Sequence, residues 1–320
     1  MSIELLLENL TNPALLFFIL GIVSVQLKSD LEIPKNSSKF ISLYLLFSIG
    51  FKGGQELAHN SITFDIVGSV LFGVVIAVAI PLYTFFILKR RLTVENAGAI
   101  AAAYGSVSAV TFVTAVTFLE MQNITFGGHM VAVMAFMEAP AIVVGVILIK
   151  RYSNGVAKGQ TMGHIVKHAL TNGSVLLILG SLVIGWIASE KQAQGIEPFT
   201  TDIFKGFLAI FLLDMGIISG RELVSFFKQG KFTTAFAILI ALFNGCVISV
   251  LSGVITDDVG NRFMLAVLGA SASYIAVPAA MKIAVPKANP GIYIPMALAI
   301  TFPVNITLGL PIYLYLVQNF

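Results

Sequence analysis

Charge is scarce in this 320-residue chain: 11% of its residues are charged against 57% hydrophobic, and the mean hydropathy is +0.94. A soluble globule of that composition would expose too much apolar surface, so the chain reads as a polytopic membrane protein. Cysteine is nearly absent, and Cys246, standing alone, excludes a disulfide within the chain. The four histidines, His59, His129, His164 and His168, lack metal-ligand spacing, and neither HExxH nor CxxC occurs, which argues against a zinc or redox site. GxSxG and the paired aspartates of membrane enzymes are also missing, leaving an enzyme as a remote reading. No basic leader precedes "MSIELLLENLTNPALL", which reads as the entry to a first membrane helix.

What is plentiful is apolar sequence. Runs lie near 10–27, 40–53, 66–88, 94–119, 127–149, 170–188, 203–219, 234–255, 261–284 and 291–317, which predicts ten spans. Two of them, 40–53 and 203–219, fall short of the roughly 20 residues of a lone spanning helix and need shelter inside a bundle. Alternate loops differ in positive charge. One set holds only Lys52, Lys191, Lys205 and Arg262 of the 19 basic residues; the other holds the remainder and is expected in the cytoplasm, with both termini outside.

Self-comparison predicts a duplication. "LTNPALLFFILG" from Leu10 returns as "LTNGSVLLILG" from Leu170, and "GFKGGQEL" from Gly50 returns as "GIISGREL" from Gly216. "AYGSVSAV", with Ser106 and Ser108, matches "LGASASYI", with Ser271 and Ser273. The matches keep their order at offsets of 160, 166 and 165 residues. Residues 1–150 and 170–320 then form two five-span halves joined by a cytoplasmic linker, 151–169. An odd number of spans per half inverts the second half in the membrane, the 5+5 plan of secondary transporters. The pairs Gly50/Gly54 and Gly216/Gly220 have the spacing of close helix crossings, and packing alone accounts for them.

Each half also carries an interruption inside a span, at Gly105 to Ala109 and at Gly269 to Tyr274. Broken helices at membrane depth are tolerated where they line a cavity or hold something polar. Two such breaks in inverted halves are expected to meet near the midplane. The half-helices starting near Ser108 and Ser273 would turn positive ends toward an anion, and the preceding carbonyl ends suit sodium. Gly105, Ser106, Ser108, Ala109, Ser271, Ser273 and Tyr274 are the substrate-site candidates; the competing reading is small residues that only permit tight crossing. Cation-site candidates are Thr111, Glu138, Asp214 and Asn305. Glu138 and Asp214 are ionisable groups at membrane depth, functional by default, with helix-locking or interfacial roles as alternatives. Glu120 is expected to be an interfacial charge, and Asn305 is as readily a helix-bridging amide.

"GSVSAVTFVTAVTFLE" (105–120), "AFMEAPAIV" (135–143) and "ASASYIAVPAAMKIAVPKANPGIYI" (270–294) resemble the SbtA-type sodium/bicarbonate symporters of photosynthetic bacteria, most specifically in the last stretch. The resemblance implies an all-α fold of ten transmembrane helices, a core and a gate domain, a homotrimer in the bacterial inner membrane, and sodium-coupled bicarbonate uptake at the crossed half-helices. It also implies an acid at the place of Glu138, no cofactor beyond sodium as coupling ion, and a PII-like cytoplasmic regulator. The chain departs from the pattern in two places. Tyr274 stands where the family carries an aspartate, and the insert between the halves shrinks to 151–168. The open alternatives are sodium- or proton-coupled transport of another small anion and, more remotely, an anion channel or a membrane sensor.

Overall fold

The computed structural model describes residues 9–58, 63–153, 163, 167, 171–226 and 230–320. All regular structure among them is helical. In chain order the helices are α1 (Pro13–Gln26), α2 (Lys35–Ala58), α3 (Phe64–Leu88), α4 (Val94–Gly105), α5 (Ala109–Met121), α6 (His129–Tyr152) and α7 (Gly173–Ile187). They continue as α8 (Glu190–Gln194), α9 (Phe204–Phe226), α10 (Lys231–Leu251), α11 (Val259–Ala270), α12 (Ala276–Ala284) and α13 (Pro290–Asn319). Prolines inside α13 withdraw backbone donors, and the helix accommodates them with π turns at Met296–Thr301 and Asn305–Gly309.

Six helical segments among the described residues are long and apolar enough to cross a membrane: α3, α4 with α5, α6, Pro198–Leu223 containing most of α9, α10 with the turn after it, and α13. The two runs read as short are not short helices. Helix α2 spans 24 residues and α9 spans 23, because polar residues such as Lys35, Lys39, Gln55 and Glu56 continue the helix beyond the apolar run. Conversely α1 and α7, at 14 and 15 residues, are shorter than their apolar runs. Their starts are fixed by the repeated "LTN": Asn12 Oδ1 accepts the Ala14 amide at 2.9 Å, and Asn172 Oδ1 accepts the Ser174 amide at 2.9 Å. Most of the 151–169 linker, with the regulatory contact expected there, lies outside the described residues.

Packing divides the helices into two groups. In one, a four-helix panel, α2 lies along α7 and α9 lies along α1, with α2 and α9 also touching. The recurrent glycines make these contacts: a Cβ on Gly50 would stand 2.7 Å from the Ile178 carbonyl oxygen, and a Cβ on Gly216 would strike the carbonyl of Phe18. Phe18 precedes Ile178 by the 160 residues that separate the two "LTN" motifs. In the other group α4 packs on α3 and α6, and α11 packs on α10 and α13. Here too the contacts pair off. Thr93 and Asp258 accept the amides of Asn96 and Asn261 at 3.4 and 2.7 Å, starting α4 and α11. The side chains of those asparagines then accept the amides of Asn289 and Gly127 at 2.8 and 2.7 Å.

Candidate functional site

The site is built where α4 stops before α5 begins and α11 stops before α12 begins. Ser108 starts α5 by accepting the Thr111 amide on its hydroxyl at 3.1 Å. Ser273, three residues ahead of α12, accepts the Val277 amide at 3.3 Å, while the helix itself begins after Ile275 with no side-chain cap. The two interruptions bond to each other. The Ser108 amide donates to Ser271 Oγ at 3.0 Å, while the Ser271 hydroxyl donates to the Leu268 carbonyl at 2.8 Å. The Ser273 amide donates to the Ala103 carbonyl near the end of α4 at 2.8 Å. Gly105 is required at the first break because the Pro81 ring of α3 occupies the place of a Cβ.

The carbonyl ends of α4 and α11 differ. In α11 the Gly269 carbonyl accepts Asn244 Nδ2 at 3.3 Å and the Ala270 carbonyl accepts Asn305 Nδ2 at 2.9 Å. Tyr83 and Tyr313 donate in turn to the side-chain oxygens of Asn244 and Asn305, the latter at 2.8 Å. Asn305 therefore spends both ends of its amide, Nδ2 on α11 and Oδ1 on Tyr313 within α13. Among the described residues no side-chain amide covers the end of α4. Beside it Ser106 Oγ is buried with no partner among the described residues, the counterpart of the fully bonded Ser271.

A cavity of about 40 Å³ opens against the first turns of α5 and α12. Val107 to Val110 and Ser273 to Ala276 form two of its walls; Glu138 of α6 and the serines Ser42 and Ser174 face it from the others. Its volume exceeds the roughly 15 Å³ a single water needs, so a small ion with part of its hydration fits. The leading amides of each helix have no partner within the helix and a positive end behind them, which favours an anion on this side of the cavity. Glu138 makes no hydrogen bond or ion pair with any described residue.

Ser42, Ser174, Tyr274 and Ile275 also line a second cavity of about 450 Å³, so they form the neck between the two. Tyr274 is 9% exposed, lies edge-on to Phe302 at 6.4 Å, and brings its hydroxyl near Ser108 without reaching bonding geometry. The larger cavity is a vestibule whose mouth carries the exposed Lys35, Lys39 and Arg221, the last 3.8 Å from Glu32. At the other end of the panel, ion pairs join the helices. Glu120, ending α5, meets Lys52 of α2 at 3.7 Å and Lys205 of α9 at 3.3 Å, which gives the expected interfacial charge two partners.

A model of the Na+-dependent bicarbonate transporter superfamily matches residues 13–318. The chain belongs to that family. No curated protein matches it. Membership makes the protein a membrane transporter and not an enzyme.

Of the residues singled out from the sequence, Ser108, Ala109, Ser273, Tyr274 and Glu138 share the small cavity. Ser106, Ser271, Thr111 and Gly105 are buried directly behind it, Asn305 braces α11, and Asp214 lies apart in the vestibule. Ser42, Ser174 and Asn244 were not singled out, since a lone serine or asparagine in an apolar run carries no periodic or motif signal.

Proposed function

We propose that the protein is a sodium-coupled symporter that carries a small anion, bicarbonate first, inward across a bacterial inner membrane. The observation that carries this reading is the bond between the two interruptions, Ser108 amide to Ser271 hydroxyl, at a cavity faced by the first turns of α5 and α12. The anion binds between those two helix starts, on their free amides and on the hydroxyls of Ser108 and Ser273. Sodium takes oxygen ligands from the α4 side, where Ser106 Oγ is unpartnered, because Asn244 and Asn305 already occupy the α11 carbonyls. Glu138 faces the cavity from α6 and offers the sodium a carboxyl oxygen. Binding of either ion then offsets the charge of the other.

The paired packing of α1 with α9 and α7 with α2, and the matched asparagine caps, support ten spans in two inverted halves. With the basic loops inside, the vestibule opens to the cytoplasm and the Glu120 ion pairs close the outer side, which supports an inward-open form. Transport would then proceed by movement of the panel against the remaining helices.

The test is uptake of radiolabelled bicarbonate into proteoliposomes, with and without an inward sodium gradient at constant pH. Uptake that follows the sodium gradient supports symport. A second reading rests on Tyr274 and Glu138: another small anion, coupled to protons through Glu138. Uptake indifferent to sodium, collapsing with the proton gradient and lost in Glu138→Gln, would select it.

A further inference from the structure

Asp214 of α9 lines the vestibule and not the small cavity between the two breaks. It is 4% exposed, and its Oδ2 has no hydrogen-bond partner among the described residues. The polar groups facing it are the Ser38 hydroxyl and, farther off, the Arg221 guanidinium, which is engaged with Glu32 at the mouth. Lys35 and Lys39 share the vestibule lining but are exposed to solvent. The vestibule is thus graded, with cations at its mouth and one carboxylate at depth. A carboxylate held that deep without a direct counter-charge is costly, and a small cation beside it removes the cost.

We propose that Asp214 is a second cation station, on the cytoplasmic exit path of sodium. The ion leaving the crossing passes the neck of Ser42, Ser174 and Tyr274, then rests on Asp214 Oδ2, with the Ser38 hydroxyl and water completing a shell of hard oxygen ligands. The anion leaves past Lys39 and Arg221 instead, so the two ions part along the vestibule and do not exit as a neutral pair. This assignment rests on the sodium-coupled reading above.

The experiment measures bicarbonate exchange in proteoliposomes while sodium is titrated separately on the vestibule face and on the opposite face. In Asp214→Asn the half-saturating sodium on the vestibule face is expected to rise at least about fivefold, the loss of one charge-assisted ligand, and to stay unchanged on the other face. Asp214→Glu should restore most of the response. Ser38→Ala, which removes a neutral ligand, should give a smaller rise on the same face and serves if the Asn variant does not insert. An unchanged sodium response in these variants, an equal rise on both faces, or a displaced pH profile with the sodium response intact would overturn the assignment. A wild-type protein indifferent to sodium on both faces would overturn the symport reading itself.

Discussion

Ser106 and Ser271 hold corresponding places in the two breaks, yet replacing each by alanine is expected to give opposite results. Ser271 Oγ accepts the Ser108 amide at 3.0 Å and donates to Leu268 at 2.8 Å. Ser108 is 4% exposed, so Ser271→Ala strands its amide away from water, at a cost of about 1–3 kcal/mol. That is a fall of roughly fivefold to 150-fold in the ratio of folded to unfolded protein. Ser106 Oγ has no partner among the described residues, so Ser106→Ala removes a buried hydroxyl that contributes nothing to the fold and should leave stability equal or slightly higher. Denaturant unfolding in detergent, without sodium or bicarbonate, reads the first comparison. Sodium-titrated uptake reads the second: Ser106→Ala should raise the half-saturating sodium although the protein is as stable as the wild type. Equal destabilisation by both substitutions, or a Ser106→Ala protein with normal sodium dependence, would refute the asymmetry between the two breaks.

Gly50→Ala puts a Cβ 2.7 Å from the Ile178 carbonyl and 2.8 Å from Ser181 Cβ, and is expected to cost about 1–3 kcal/mol as α2 and α7 are forced apart. Gly206→Ala, where nothing stands within 4 Å, should instead be neutral or stabilising by about 0.5–1 kcal/mol, and thermal unfolding of the two proteins compares them directly. Glu120→Gln breaks both ion pairs that tie α5 to α2 and α9. Exposed pairs of this kind contribute up to about 1 kcal/mol each, so the outward-open population should rise severalfold. An impermeant thiol reagent applied from outside to Ser42→Cys, in a Cys246→Ser background, should therefore label faster when Glu120 is neutralised; an unchanged rate would mean that the pairs do not hold the outer side shut.

Part of this arrangement is legible in the sequence because short motifs recur along it. The "LTN" starts of α1 and α7 and the GxxxG faces of α2 and α9 recur at nearly constant spacing, and the structure uses each copy for the same contact. The ends of α4 at Gly105 and of α11 at Ala270 are legible too, since glycine, serine and alanine interrupt runs that otherwise favour helix. Helix lengths are less legible, because helices continue through polar ends that hydropathy excludes, as in α2, and start only inside the apolar run where an asparagine caps them, as in α1 and α7. The contribution of Asn305 is fixed by Ala270, 35 residues away, and by Tyr313 farther along the same helix, which take the two ends of its amide. Ser42 and Ser174 acquire their place only when the panel closes over the crossing.

The most direct test of the central claim is an experimental structure of the protein in sodium bicarbonate. The account predicts density for a planar anion in the cavity bounded by Ser108, Ser273 and Glu138, between the first turns of α5 and α12, and its loss when chloride replaces bicarbonate. Anion density confined to the vestibule, or the same density without bicarbonate, would contradict it.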